Sequence, residues 1–204
     1  MRKISVLAGA GILVVACQQA PPAVEEPPPP DPAAVAAAQV ERGKYLVTIA
    51  ACHDCHTPKA MTDKGPAPDM SRELSGHPAD SKLPERLPFD MVTPGKWGTV
   101  ANEHLTAWVG VWGVSFTRNL TPHPATGLGS WTEEMFIKTI RNGKQQGEGR
   151  DLLPPMPWQM YAQMTDEDLK AVWAYLRSLP PIDNAVPDPI APAGPPPGAP
   201  PAPS

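Results

Sequence analysis

Two of the three cysteines in this 204-residue chain lie close together, at a spacing that favours covalent chemistry. Cys52 and Cys55 belong to the sequence Cys-His-Asp-Cys-His, which ends at His56. Two intervening residues let both sulfurs reach one edge of a flat ligand, and an imidazole follows immediately. The spacing is compatible with a local disulfide, with part of a zinc site, or with porphyrin attachment.

Haem attachment accounts for the whole motif. The two thiols add across the vinyl groups of haem and form thioethers, so Cys52 and Cys55 would hold the cofactor covalently. His56 would then bind the iron through its imidazole. A zinc site needs a fourth ligand, and the sequence contains no second paired motif. We predict one covalent haem c, and a Cys52–Cys55 disulfide and a zinc site remain the alternatives.

Met156 is predicted to be the second axial ligand of the iron. It lies between Pro155 and Pro157, and this stiff segment cannot be helical, so it holds the thioether with little entropic cost. Bis-histidine ligation and ligation by a methionine of the long loop are alternatives. The other residues considered are Met61, Met70, Met91, His77, His104 and His123 as rival ligands, and Met135, Met160 and Met164 as core-filling side chains.

The first residues are typical of an export signal. Arg2 and Lys3 precede an apolar run that is too short to span a bilayer comfortably, and Cys17 follows a small residue. The run resembles a bacterial lipobox, so we expect residues 1–16 to be a signal peptide and Cys17 to be lipidated. The protein would be exported and lipid-anchored to a bacterial membrane, facing the periplasm or the cell exterior. An ordinary signal peptide is the alternative.

Proline and charge delimit the rest of the chain. The 30 prolines concentrate at both ends, which predicts a Pro-rich linker at 17–35, a folded domain at 36–181 and a Pro-rich tail at 182–204. We expect both Pro-rich segments to be spacers. The formal net charge is −4 and becomes more negative when the two leader cations are removed, which argues against a nucleic-acid partner.

Three helices are predicted in the domain, at 33–51, from a capping box at 130–133 to Asn142, and at 165–179. Gly43 is expected to allow a close approach of the last helix to the first. The segment 57–124 contains many Gly and Pro residues. It is predicted to be an ordered loop with a short helix near 102–109, packing its tryptophans on haem or in a small satellite core. No strands are predicted.

The haem motif, the stretch Leu-Pro-Pro-Met-Pro-Trp ending at Trp158 and the last helix resemble class I c-type cytochromes over residues 36–181. The segments 119–122 and 126–132 look like bacterial cytochrome domains of membrane-bound dehydrogenases. The resemblance implies an all-α cytochrome c fold with crossed N- and C-terminal helices, a long ordered loop insertion and His/Met ligation.

The expected function is one-electron transfer by an electron carrier that is not itself an enzyme. The expected partners are redox proteins, such as a membrane dehydrogenase or a terminal oxidase, and the membrane through the lipid anchor. One alternative is a permanent subunit of a larger membrane-bound dehydrogenase or respiratory complex. Another is a haem enzyme or gas sensor with an open iron site, although the sequence shows no paired carboxylates or nucleophile constellation for catalysis.

Overall fold

The computed structural model of the chain describes residues 29–93 and 95–192, so Cys17 and the end of the Pro-rich tail lie outside it. Its helices are α1 (Pro32–Ile49), α2 (Cys52–His56), α3 (Glu133–Asn142), α4 (Trp158–Tyr161) and α5 (Asp166–Ser178), with 3-10 turns at Met70–Arg72 and Gln145–Gly147. Its strands are β1 (Lys59–Thr62), β2 (Gly65–Pro68), β3 (Thr99–Ala101), β4 (Ala107–Gly110) and β5 (Gly113–Phe116). Within these ranges no helix is long and apolar enough to cross a membrane.

Helix α1 begins at a cap and packs directly on α5. The carboxylate of Asp31 accepts a hydrogen bond from the amide of Ala33 (3.0 Å). Gly43 permits the contact with α5, because a Cβ there would lie only 1.9 Å from the carbonyl oxygen of Ala171 and 2.8 Å from the Cβ of Tyr175. The predicted close approach of the first and last helices at Gly43 is therefore present.

The other two long helices also begin at side-chain caps. The hydroxyl of Thr132 accepts from the amide of Met135 (3.2 Å), so the cap of α3 lies two residues after the predicted Ser130. Thr165 caps α5 by accepting from the amide of Asp168 (3.1 Å). Buried side chains of α1, α3 and α5 form the main hydrophobic core.

The prediction of an all-α fold is wrong, because the segment between α2 and α3 contains two antiparallel sheets. Strands β1 and β2 form a hairpin, and β3, β4 and β5 form a three-stranded sheet in that order. The predicted short helix at 102–109 is also wrong. The side chain of Asn102 instead accepts hydrogen bonds from the amides of Thr106 (2.8 Å) and Ala107 (2.9 Å), which turns the chain into β4.

The three-stranded sheet has its own small core, which is separate from the helical core. Its buried members are Val92, Ala107, Val109, Val114, Phe116 and Val186. The tryptophans Trp97, Trp108 and Trp112, which were predicted to pack on haem or in a satellite core, neither line the cavity described below nor belong to this small core. Trp97 is exposed, and Trp112 lies over Gly110.

After α5 the chain stays in contact with the domain. Residues 183–190, here called the C-terminal strap, include the buried Val186 and end at Ile190, whose amide and carbonyl pair with those of Val114 (3.0 and 2.8 Å). Composition alone placed this segment in a Pro-rich tail, but its described residues pack on the three-stranded sheet.

Candidate haem-binding site

One cavity of about 480 Å³ brings together the four predicted site residues of the domain. Cys52, Cys55, His56 and Met156 all line it, although Met156 is separated from the motif by about a hundred residues of chain. Helices α1, α3 and α5 supply apolar walls, including Val47, Phe136, Ile140 and Val172. The fifth predicted site residue, Cys17, lies outside the described residues.

The two cysteines lie on the single short helix α2. Helix α2 follows directly on Ala51, whose φ of 56° turns the chain sharply after α1. Because residues three apart share a helix face, Cys52 and Cys55 lie on one side of α2. Burial raises the pKa of the Cys52 thiol to about 11, and burial together with Asp54 raises that of Cys55. Both cysteines are free of disulfide bonds in the structure.

The imidazole of His56 is held by a backbone carbonyl. Its Nδ1 lies 2.8 Å from the carbonyl oxygen of Arg118. A carbonyl only accepts, so Nδ1 carries the proton and donates it, which leaves Nε2 with its lone pair. Burial lowers the pKa of His56 and favours this neutral form. A neutral imidazole with one nitrogen fixed by a hydrogen bond is the form that binds metals.

Met156 is held by a backbone segment anchored at several points. The amide of Leu152 donates to the carbonyl of Gly143 (2.7 Å), and the hydroxyl of Ser115 donates to the carbonyl of Pro154 (2.5 Å). After Met156, Trp158 packs flat on Gly143, where a Cβ would lie 2.3 Å from its indole ring. Met156 itself is partly buried and packs against the helical core.

The six rival ligands all lie outside the cavity, but one methionine predicted to fill the core reaches it. His77, His104 and His123 make hydrogen bonds to Thr106, to the carbonyl of Lys59 and to Thr126, and none of the three lines the cavity. Met61, Met70 and Met91 are exposed. Met164, predicted as core filling, lines the same cavity as Met156. Two methionines therefore reach the cavity.

The model of the family described as cytochrome c matches residues 40–180, which is more than half of the chain. The chain belongs to the cytochrome c family. Its members transfer electrons, so this cytochrome is an electron-transfer protein and not itself a catalyst. Residues 40–180 include the haem motif, Met156 and all of α5, and the match ends before the C-terminal strap.

Similar proteins are named as cytochrome subunits of dehydrogenases. The gluconate 2-dehydrogenase cytochrome c subunit of Pantoea cypripedii is 30% identical over 138 residues, which are 68% of this chain and 22% of that protein. The quinone alcohol dehydrogenase cytochrome c subunit of Gluconobacter oxydans is 26% identical over 154 residues, 74% of this chain and 24% of that protein. A diheme cytochrome c-type protein of Cereibacter sphaeroides is 26% identical over 151 residues, 72% and 38% of the two chains. This cytochrome thus spans well under half the length of each.

The cavity fits the haem c that the family implies. Its walls are mostly apolar, its thiols share one face of α2, and the proton on His56 Nδ1 leaves Nε2 available to a metal. The donor set does not fit a zinc site, because the described residues contain no group of three His, Cys, Asp or Glu side chains able to hold a metal ion.

Sequence reasoning missed Arg118, Arg150 and Tyr161, which also line the cavity. The hydroxyl of Tyr161 donates to the carbonyl of Ala50 (2.8 Å), next to α2. Arg118 contributes its backbone carbonyl to His56, and burial together with the nearby charge of Arg150 lowers the pKa of its guanidinium. No local pattern indicates Arg118, because it lies 62 residues from the imidazole that it positions.

Proposed function

We propose that this cytochrome is a one-electron carrier with a single covalent haem c, attached through Cys52 and Cys55 and ligated by His56 and Met156. The observation that carries the proposal is the convergence of these four side chains on one cavity of about 480 Å³. When bound, the haem supplies an iron that cycles between its ferrous and ferric states. The residues of the chain attach the cofactor, hold its ligands and limit the access of water.

The hydrogen bonds that hold His56 and the backbone around Met156 favour an electron carrier over an enzyme. The His56 imidazole is fixed by the Arg118 carbonyl, and Met156 is carried by a backbone held through Leu152 and Pro154. An iron with both axial positions filled gains or loses an electron without binding or releasing a ligand, so little has to reorganise. A site for oxygen or peroxide requires an open position instead.

The attachment and the number of haems can be tested by extraction. Acidified acetone should leave the haem on the wild-type protein, with one iron per chain, because two thioethers hold it. A Cys52→Ser, Cys55→Ser double variant provides the control and should release any haem that it retains. Extractable haem in the wild-type protein, or two irons per chain, contradicts the proposal.

The sixth ligand can be tested by three matched methionine substitutions. Met156→Ala should abolish the weak far-red sulfur-to-iron absorption band, lower the reduction potential and let the ferrous iron bind carbon monoxide. Met160→Ala removes a methionine that is 71% exposed and should change none of these properties. Met164→Ala tests the other methionine of the cavity. If the band survives Met156→Ala and disappears with Met164→Ala, Met164 is the ligand. Carbon monoxide binding by the wild-type protein supports an open iron site.

The names of the relatives favour a dehydrogenase as the electron donor. Relatives that align with most of this chain are named as the cytochrome c subunits of gluconate and alcohol dehydrogenases. We propose that this cytochrome accepts electrons from a dehydrogenase, either transiently or as its permanent subunit, and passes them to another redox protein such as a terminal oxidase. Purification without denaturants distinguishes the two arrangements. A fixed assembly indicates a subunit, a lone chain reduced by an added dehydrogenase indicates a free carrier, and a lone chain that no dehydrogenase reduces contradicts the proposal.

The export and lipid anchoring of the chain are proposed from its first 17 residues alone. The charged start, the apolar run and Cys17 support cleavage before Cys17 and lipidation of this cysteine. Mass spectrometry of the mature protein should show acyl chains on an N-terminal Cys17. Cys17→Ser should move the protein from the membrane fraction, and an unmodified N-terminus elsewhere contradicts the anchor.

A further inference from the structure

The C-terminal strap, residues 183–190, is fastened to the domain by the half-buried side chain of Asn184. The side-chain amide of Asn184 donates to the carbonyls of Ser75 (2.7 Å) and His77 (2.8 Å), and its oxygen accepts from the amide of Ala79 (2.9 Å). Both N–H groups and the oxygen of this one side-chain amide are therefore hydrogen-bonded. Asn184 therefore holds the start of the strap, in addition to the buried Val186 and the backbone pairing of Ile190 with Val114.

The same strap forms part of the wall of the haem cavity. Ala185, Val186 and Pro189 line the cavity together with the four site residues. Pro189 also lines a second, more open cavity, with Arg150 and Asp188. Residue 189 therefore lies between the haem cavity and a more open, partly polar cavity at the surface. The strap lies beyond the family match, which ends at residue 180.

Arg118 connects the strap to the proximal imidazole. Its guanidinium donates to the carbonyls of Val186 (3.2 Å) and Pro187 (3.1 Å), while its own carbonyl accepts from Nδ1 of His56 (2.8 Å). One residue thus contacts the strap with its side chain and the iron-binding histidine with its backbone. Displacement of the strap removes two hydrogen-bond partners of a half-buried cation and disturbs the residue that orients the imidazole.

We propose that the C-terminal strap is a functional wall of the haem cavity and that Arg118 is a positioning residue coupling it to His56, so that the strap sets the reduction potential. This inference rests on the proposed function, because it requires a haem in the cavity. The ferric state carries one more positive charge than the ferrous state and gains more from contact with water. A wall that excludes water, with a cation beside it, therefore raises the potential.

The experiment compares two truncations of the full chain. Ending the chain after Ile182 removes the strap, and ending it after Pro192 removes only residues 193–204. Covalent haem content is measured first, and the reduction potential by redox titration second. We expect the shorter chain to retain its haem and to show a fall in potential equivalent to about a tenfold change in the ratio of reduced to oxidised protein, ~59 mV for one electron. The longer chain should match the wild type.

Point variants keep the proposal testable if the shorter chain does not accumulate. Asn184→Ala loosens the strap at a residue that does not line the cavity, and Arg118→Gln removes the guanidinium but keeps the backbone carbonyl. Both should lower the potential, and Arg118→Lys should restore part of it. Arg177→Gln is the matched control, because Arg177 also donates to two carbonyls, those of Leu128 and Gly129, but does not line the cavity.

The outcomes separate this inference from the proposed function. Some variants could keep covalent haem and lose stability, yet have the reduction potential of the wild type. That result would show that the strap has only a structural role, and it would overturn the inference. A fall in potential in Asn184→Ala and Arg118→Gln, together with faster hydrogen exchange at the Val114 amide, supports it. If the wild-type chain itself holds no covalent haem, the proposed function fails, and the inference fails with it.

Discussion

Substituting Gly43 by alanine should destabilise the packing of α1 on α5. The added Cβ would lie 1.9 Å from the carbonyl oxygen of Ala171, whereas ordinary contacts of this kind begin near 3.4 Å. The helices would have to separate or slide by about 1.5 Å to relieve the overlap. The obstacle is backbone rather than the end of a flexible side chain, so no rotamer change removes it.

The expected loss follows from two opposing effects. Overpacking in a closely packed core costs about 3 kcal/mol at the upper end of the usual range. That range applies because six residues of α5 are buried and a shift of the helix disturbs all of them. Alanine is the better helix former and recovers about 1 kcal/mol of this cost. We therefore expect a net loss of about 2 kcal/mol, which corresponds to a fall in Tm of about 4–8 °C for a domain of this size.

Thermal unfolding followed by the haem absorbance measures this change. Gly98→Ala is the control, because a Cβ at residue 98 meets nothing within 4 Å and should leave Tm nearly unchanged. A Gly43→Ala variant as stable as the wild type, or more stable, would show that helix propensity outweighs the contact and that the two helices do not approach closely at this point.

Three further predictions concern other contacts. Burial lowers the pKa of His77 from 6.5 to about 4, so the unfolded chain binds a proton more readily than the folded chain. The free energy of unfolding should therefore fall as the pH drops from 6.5 to 4. Urea titrations at pH 4.5 and pH 7 should show a smaller difference in this free energy for His77→Gln than for the wild type. Asn119→Ala should cost about 1–3 kcal/mol, because the buried Asn119 side chain accepts from the amide of Thr121 and its removal leaves that amide unsatisfied. Equilibrium unfolding in urea measures the loss. Thr132→Ala should cost about 1 kcal/mol in the same assay, through loss of the α3 cap.

The sequence was most informative where local chemistry decides the structure. Caps, helical periodicity and proline predicted α1, α3 and α5 to within a few residues, and the only glycine of α1 predicted the contact with α5. The cysteine motif predicted the site on α2, and stiff prolines predicted a fixed segment around Met156. The structure places these residues on one cavity, while the ligands themselves stay predictions that await the substitutions described above.

Strands β4 and β5 were missed because their residues do not alternate between buried and exposed positions. All four residues of β5 are buried, and β4 has only Trp108 partly exposed. The sequence did contain a signal for the β4–β5 hairpin, namely two short apolar runs joined by two residues. Gly113, with a φ of 100°, ends the turn between them. Arg118 could not be found by pattern, because its role arises from contacts with residues distant in sequence.

The segment that contains the three-stranded sheet, residues 77–117, begins and ends at neighbouring points of the domain. The carbonyl of His56 accepts from the amide of Gly76 (2.8 Å), and the amide of His77 donates to the carbonyl of Thr117 (2.9 Å), just before Arg118. The chain between residues 77 and 117 thus leaves and returns at neighbouring points, and its part before β4 is an outgrowth from the domain. A flexible insertion beside the exposed Trp97 should not move the imidazole, because doubling a flexible loop adds only ~0.6 kcal/mol to its closure. Such an outgrowth is a suitable place to graft a reporter or an affinity handle beside a redox centre.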